Sequence, residues 1–285
     1  MKYKGWLIYS QLDAEDNSSY INWFLEEAEL QSLDLKLAIR ENLAIGIIDD
    51  KRTILLNNKP IAPPDFAVVR TIDPFLSLHL ESMGIRVFNS SSIAQICNNK
   101  ELTHHYVHGL GVPMVDTIFA NSNQLPNLQV LEFPFVIKES TGRGGKQVFL
   151  IENEKDWQDS LPNLTSKTSI MQTCNVKHGK DLRVFVVGNE IVGAVLRENS
   201  RDFRANFKLG GSASLYSLSK EEVKLVQTII EHFQFDMVGI DFLFSKDQKL
   251  LFNEIEDVVG SRTLSAVSDS NLLQKYNAYI RSQLS

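Results

Sequence analysis

The chain has 285 residues, 43% of them hydrophobic and 22% charged, and a formal net charge of −6. That is the balance of an ordinary soluble globular protein, with room for one large or two to three small domains. It excludes broad electrostatic binding of nucleic acid or of an anionic membrane, and no run of eighteen apolar residues is present to span a bilayer.

The first ~95 residues alternate strand and helix signals. Trp6-Leu-Ile-Tyr9 reads as a strand, and 20–30 follows with helical periodicity behind a cap signal at Asn17, Ser18 and Ser19. A strand at 35–39, a small hairpin around Asn57-Asn58, a strand at 67–70, a helix at 75–83 and a strand at 86–88 complete the segment. This pattern predicts a small open sheet covered by helices. No glycine-rich fingerprint follows the first strand, so a dinucleotide site is not expected there.

The second segment opens with a polar helix over 99–108, ended by Gly109 and Gly111-Val-Pro113. Strands are predicted at 115–119, 134–138, 147–151 and 169–173, with a helix near 154–161. The third segment is richer in strand. Residues 182–187, Gly188-Asn189 and 190–197 form a hairpin, followed by a polar loop over 198–214. Ser219 with Glu222 has capping-box spacing at the head of a helix. A second apolar hairpin and a helix from Asn271 close the chain. Three domains are therefore expected, at 1–97, 98–175 and 176–285. Cys97 and Cys174 lack metal-ligand spacing and read as small buried residues in a reducing compartment. The N-terminal apolar run is too short for a signal peptide, so the expected location is cytoplasmic.

Three stretches carry candidate chemistry. In Met237-Val-Gly-Ile-Asp-Phe-Leu-Phe through Leu251-Phe-Asn-Glu-Ile-Glu256, a turn at Asp247-Gln248 puts Asp241 opposite Glu254, with Glu256 on the diagonal. Glu254 and Glu256 are expected to share a face with Leu250 and Phe252. At ~6 Å and an effective dielectric of ~20, each like-charge pair costs roughly 3 kcal/mol. A raised pKa, a hard cation such as magnesium, or plain solvation on an edge hairpin would each offset that cost.

The second stretch is Phe135-Val-Ile-Lys138 through Thr141-Gly-Arg-Gly-Gly145-Lys146, two strands flanking a glycine-rich turn. Backbone N–H groups in such a loop approach a phosphate closely, and Lys138, Arg143 and Lys146 add charge. The alternative is a plain hairpin with a solvated basic tip. The third stretch runs from Lys180-Asp-Leu-Arg183 through Arg197 to Arg201-Asp-Phe-Arg-Ala-Asn206-Phe-Lys208. Its arginines suit planar binding of phosphate or carboxylate, or else a salt-bridged surface loop. His104, His105 and His108 have no local carboxylate or cysteine and read as a solvated helix face.

Asp-Leu-Arg, Asp-Phe-Arg-Ala-Asn, Gly-Gly-Ser-Ala-Ser and Val-Gly-Ile-Asp, in this order, resemble the ATP-grasp superfamily, and its RimK-type alpha-L-glutamate ligases most closely. The resemblance covers essentially the whole chain. It implies an α/β (α+β) ATP-grasp fold with an N-terminal open α/β pre-grasp domain and ATP held between two lobes. It further implies ATP contacts from Lys100, Lys138, Gly142, Gly144, Gly145, Gln172, Thr173, Asp181 (through the ribose), Arg204 and Asn206. Lys138 and Arg204 would act on the transferring phosphoryl group. Asp241, Glu254 and Glu256 would hold magnesium, with manganese as the alternative cation. Arg183, Arg197 and Arg262 are candidates for a substrate carboxylate, and Arg262 is equally a candidate to offset Glu256.

The sequence departs from the family pattern at three places: Glu256 stands where the family has Asn, Glu256-Asp-Val-Val-Gly260 replaces Asn-x-Ser-Pro-Gly, and Gln172-Thr173 replaces Gln-Glu. The implied activity is ATP-dependent joining of a carboxylate to an amine through an acyl phosphate. Its substrates would be amino acids, peptides or small metabolites, with no nucleic acid or membrane partner. The alternative is a nucleotide-binding sensor or partner protein without ligase turnover. Self-assembly is left open, as relatives often assemble.

Overall fold

A computed structural model of the chain describes residues 2–121, 131–142, 147–205 and 211–285. The N-terminal elements are β1 (Tyr3–Tyr9), α1 (Gln11–Asp16), α2 (Ser18–Leu30), β2 (Leu33–Ile39), β3 (Leu43–Ile48), β4 (Lys51–Leu56), β5 (Lys59–Pro60), β6 (Phe66–Val69), α3 (Pro74–Glu81), β7 (Arg86–Phe88) and α4 (Ser91–Cys97). Strands β2, β1, β6 and β7 form a parallel sheet in that order. The crossovers α2 and α3 cover it, as parallel pairing requires. Strands β3, β4 and β5 make a separate antiparallel meander, and Asn57 and Asn58 turn β4 into β5 at positive φ.

The next elements are α5 (Lys100–Gly109), β8 (Thr117–Asn121), β9 (Phe135–Glu139), β10 (Val148–Ile151), α6 (Glu154–Ser160) and β11 (Thr168–Thr173). Their sheet runs β10-β9-β11-β8 and is antiparallel. The last are β12 (Val176–Val187), β13 (Glu190–Glu198), β14 (Ser212–Leu215), α7 (Lys220–Phe233), β15 (Met237–Ser245), β16 (Leu250–Glu256), α8 (Arg262–Val267) and α9 (Leu272–Gln283). They build an antiparallel sheet in the order β14-β13-β12-β15-β16. The capping box of Ser219 and Glu222 opens α7.

The elements missing from the sequence reading are short. Helices α1, α4 and α8 span six or seven residues, too few for a helical period to show. The expected cap of α2 also differs. Asn17 makes no side-chain cap, and its amide donates back to Asp13 O at 2.7 Å, closing α1 instead.

The cores tie the segments together. One cluster joins Phe24, Phe66 and Phe88 of the N-terminal segment to Phe185, Leu273 and Tyr276 of the last. Another packs Val107 of α5 and Val226 and Ile230 of α7 against Phe242 and Phe252. Asn89 is a polar fastener inside this contact. Its Nδ2 donates to Met237 O at 2.7 Å and Asp257 O at 3.2 Å, and its Oδ1 accepts from the N–H groups of Asp236 and Met237 at 2.7 and 3.1 Å. Asn89→Ala strands these buried groups and is expected to lower stability by about 3 kcal/mol. Urea denaturation of the two proteins checks it.

Candidate functional site

Asp241 lies opposite Glu254 in the β15–β16 ladder, and Gly239 lies opposite Glu256, so the expected register holds. The face assignment does not. A bulge follows the Asp241–Glu254 pair, because Phe242 already pairs with Phe252. Asn253 is the extra residue, and it reverses the alternation beyond it. Leu250, Phe252 and Ile255 are buried in the core, while Asn253, Glu254 and Glu256 are half-buried.

Guanidinium groups offset the carboxylates. Arg183, opposite Asp241 on β12, donates from Nε and Nη2 to the two Asp241 oxygens at 2.7 Å each. Its Nη1 lies 2.6 Å from Glu256 Oε2. Arg197, opposite Asp181 on β13, donates to both Asp181 oxygens at 2.5 and 2.9 Å and to Asp241 Oδ2 at 2.8 Å. Burial alone would raise the Asp241 carboxyl, yet Arg183 and Arg197 hold it below the usual range. Asp181 goes the other way: burial, with the Asp241 charge beside it, raises it against the pull of Arg197.

These pairs bear on three of the expected site residues. Asp181 is 6% exposed, and both its oxygens accept from Arg197. Arg197, 4% exposed, pairs with Asp181 and Asp241, and Arg183 pairs with Asp241 and Glu256. The cross-strand register imposes both pairings. Arg262 is exposed at the head of α8, and it is Arg183 that offsets Glu256.

A hard cation would need oxygen donors here. Glu254 and Glu256 are half-buried oxygen donors of suitable chemistry. Asp241 has both oxygens on guanidiniums, and among the described residues no three His, Cys, Asp or Glu are gathered as a metal cluster. The set fits magnesium in donor type, and of the Asp241 oxygens Oδ1 is held by Arg183 alone.

The bulge aims Asn253 across the cleft, where its Oδ1 accepts from Lys138 Nζ at 3.0 Å. Lys138 ends the apolar run of β9 and is 6% exposed. Burial pulls its ammonium down to about 8, against the opposing charge of Glu254 and with the help of Lys100. Lys100 begins α5, and its Nζ donates to Gly142 O at 2.5 Å, at the base of the glycine-rich turn. Gly144, Gly145 and Asn206 lie outside the described residues. Arg204 is half-buried and donates to both Asp202 oxygens at 3.0 and 2.7 Å. Thr173 is half-buried at the end of β11, one residue beyond the buried Gln172.

Sequence reading missed four residues here. His104 was expected on a solvated face, which suits the exposed His105 and His108, but it is 1% exposed and bonded to Gln172. Asn253 has no signal in the sequence, since a bulge leaves none. Arg70 donates to Val259 O at 2.8 Å, and with Asn89 it pins the segment after Glu256 to the N-terminal sheet. Nothing local marks a contact across 189 residues.

Lys138 gives a signed pH test. Its pKa is 10.5 when unperturbed and about 8 here, so between those values the unfolded chain binds more protons. Wild-type stability is then penalised below pH ~8, and the penalty is relieved as pH rises to ~10.5, by up to about 3 kcal/mol. Lys138→Met should lack that rise. Urea denaturation of both proteins across this window measures the difference, which cancels every other titrating group.

The RimK-like ATP-grasp domain family matches residues 108–280. Human beta-citrylglutamate synthase B is 30% identical over 81% of the chain, which spans 64% of that protein's length. The glutamate–LysW ligase ArgX of Sulfurisphaera tokodaii is 27% identical over 87% of the chain and 93% of its own. The solved structure of the ATP-grasp ligase PsnB with a phosphomimetic variant of minimal precursor, Mg and ADP superposes with a TM-score of 0.72. That pair shares 12% identity, over 99% of this chain and 98% of the other.

Proposed function

This chain belongs to the RimK-like ATP-grasp family and is an ATP-dependent carboxylate–amine ligase, and on that premise we propose how its residues divide the reaction. The observation that carries the reading is the buried contact of Lys138 with Asn253. It places a cation of segment 98–175 against the carboxylate strand of segment 176–285. The nucleotide lies between these two segments, its base toward Gln172 and Thr173 and its phosphates toward Lys100, Lys138 and Arg204.

The substrate carboxylate attacks the γ-phosphorus, the bond to the β-phosphate oxygen breaks, and ADP leaves an acyl phosphate behind. The amine then attacks the acyl carbon, phosphate departs, and the amine proton passes to phosphate or solvent. Lys100, Lys138 and Arg204 oppose the negative charge that shifts during transfer. Gly142, whose carbonyl oxygen accepts from Lys100, opens the glycine-rich stretch that this reading assigns to the nucleotide phosphates. Asp241 (through Oδ1), Glu254 and Glu256 would hold magnesium, with Arg183 turned from Asp241 and Glu256 toward phosphate oxygens. Magnesium held there would neutralise phosphate charge, and manganese shares the donor preference. The amine is an amino acid or peptide, with glutamate the first to test because relatives' names carry it. Arg262, exposed beyond the Val258-Val259 segment, receives a substrate carboxylate.

Magnesium-dependent ADP release with paired acids and amines, read for the amide by mass spectrometry, is the test. Asp241→Asn and Glu254→Gln should each lower kcat/KM at least ~100-fold. Full activity in either variant would remove that residue from the metal set.

A further inference from the structure

Four side chains and backbone groups around Gln172 form a hydrogen-bond chain whose direction is set at both ends. His104 Nδ1 lies 2.8 Å from Lys100 O, a group that only accepts, so Nδ1 carries the proton. Nε2 is then a lone pair, and burial with the nearby Lys138 charge keeps the ring neutral by pulling it down to about 3. At the other end the Thr117 hydroxyl donates to Val115 O at 2.9 Å, so its oxygen is left to accept. Gln172 Nε2 lies 3.0 Å from His104 Nε2 and 2.9 Å from Thr117 Oγ1. Both amide hydrogens are consumed. A flipped amide would set its oxygen against two lone pairs.

The placement is rigid. Thr117 is the cross-strand partner of Gln172, and the His104 ring stands edge-on to Phe252 with centroids 5.3 Å apart. Gln172 is therefore held with one polar atom unassigned among the described residues, its amide oxygen, which is an acceptor only.

We propose that His104, with Thr117, is a positioning residue for nucleobase selection. By fixing which of its two amide atoms Gln172 can offer, the oxygen, it favours a purine bearing an amino group at position 6 and disfavours one bearing a carbonyl there. The proposal rests on the reading above that Gln172 meets the base. A free glutamine reverses its amide to suit either group, whereas this one has lost that freedom.

The experiment measures calorimetric affinity for ATP and for inosine triphosphate, which differ at position 6 and in the proton on N1, together with kcat and KM for each; the N1 difference is common to wild type and variants and cancels in the comparison between them. His104→Phe keeps an aromatic ring against Phe252 and deletes the acceptor. The ATP-to-inosine-triphosphate affinity ratio is expected to fall about tenfold, mainly through tighter inosine triphosphate binding and with the change in KM. An unchanged ratio in the folded variant overturns the proposal. If His104→Phe does not fold, Thr117→Val deletes the second acceptor and is judged by the same two outcomes. Gln172→Ala separates the underlying reading. A collapsed ratio there with an unchanged ratio in His104→Phe sinks only the positioning role. An unchanged ratio in Gln172→Ala sinks the base contact itself.

Discussion

One buried and one half-buried guanidinium among three carboxylates tie together the strands of the C-terminal sheet. Asp181, Asp241 and Glu256 converge from β12, β15 and β16, and Arg183 and Arg197 answer them from β12 and β13. Charges removed from water this way are tolerated only with close pairing and good hydrogen-bond geometry. Both arginines meet that condition with fork-like contacts at 2.5–2.9 Å. The backbone makes room for one of them. A Cβ on Gly239, opposite Glu256, would lie 2.8 Å from Val259 Cγ2 and 3.4 Å from Arg183 Cδ. Glu256, where the family pattern has a neutral amide, thus extends an ion-pair network that already holds Asp241.

This network also gives the site its responsiveness. A guanidinium pairs with phosphate as readily as with carboxylate, and a hard cation prefers the carboxylates. On the proposed reading, magnesium and a nucleoside triphosphate arriving together would satisfy both exchanges at once. Lys138 belongs to the same economy. Its ammonium is paired with a neutral amide, Asn253, and its charge is weakened by burial, so added negative charge strengthens it.

The N-terminal segment supports the site from behind. Arg70 and Asn89 reach the backbone of 257–259, the stretch that departs from the family pattern. Val259 is fully buried and Asp257 nearly so. Where a Ser-Pro turn would stiffen the chain by itself, this protein holds the segment through hydrogen bonds from another sheet.

Most of the strand and helix order was legible in the amino-acid sequence, because apolar periodicity and turn residues act locally. The hairpin register of Asp241 and Glu254, the capping box at Ser219 and the turn at Asn57-Asn58 all rest on contacts between near neighbours. So does the set of motifs that marks an ATP-grasp ligase. Tertiary structure alone decided which charges meet. The bulge at Asn253, the pairing of Arg197 with Asp181, the burial of His104 and the grip of Arg70 depend on elements brought together by packing. Desolvation then sets their energies, and no local pattern of residues encodes how much water a side chain keeps.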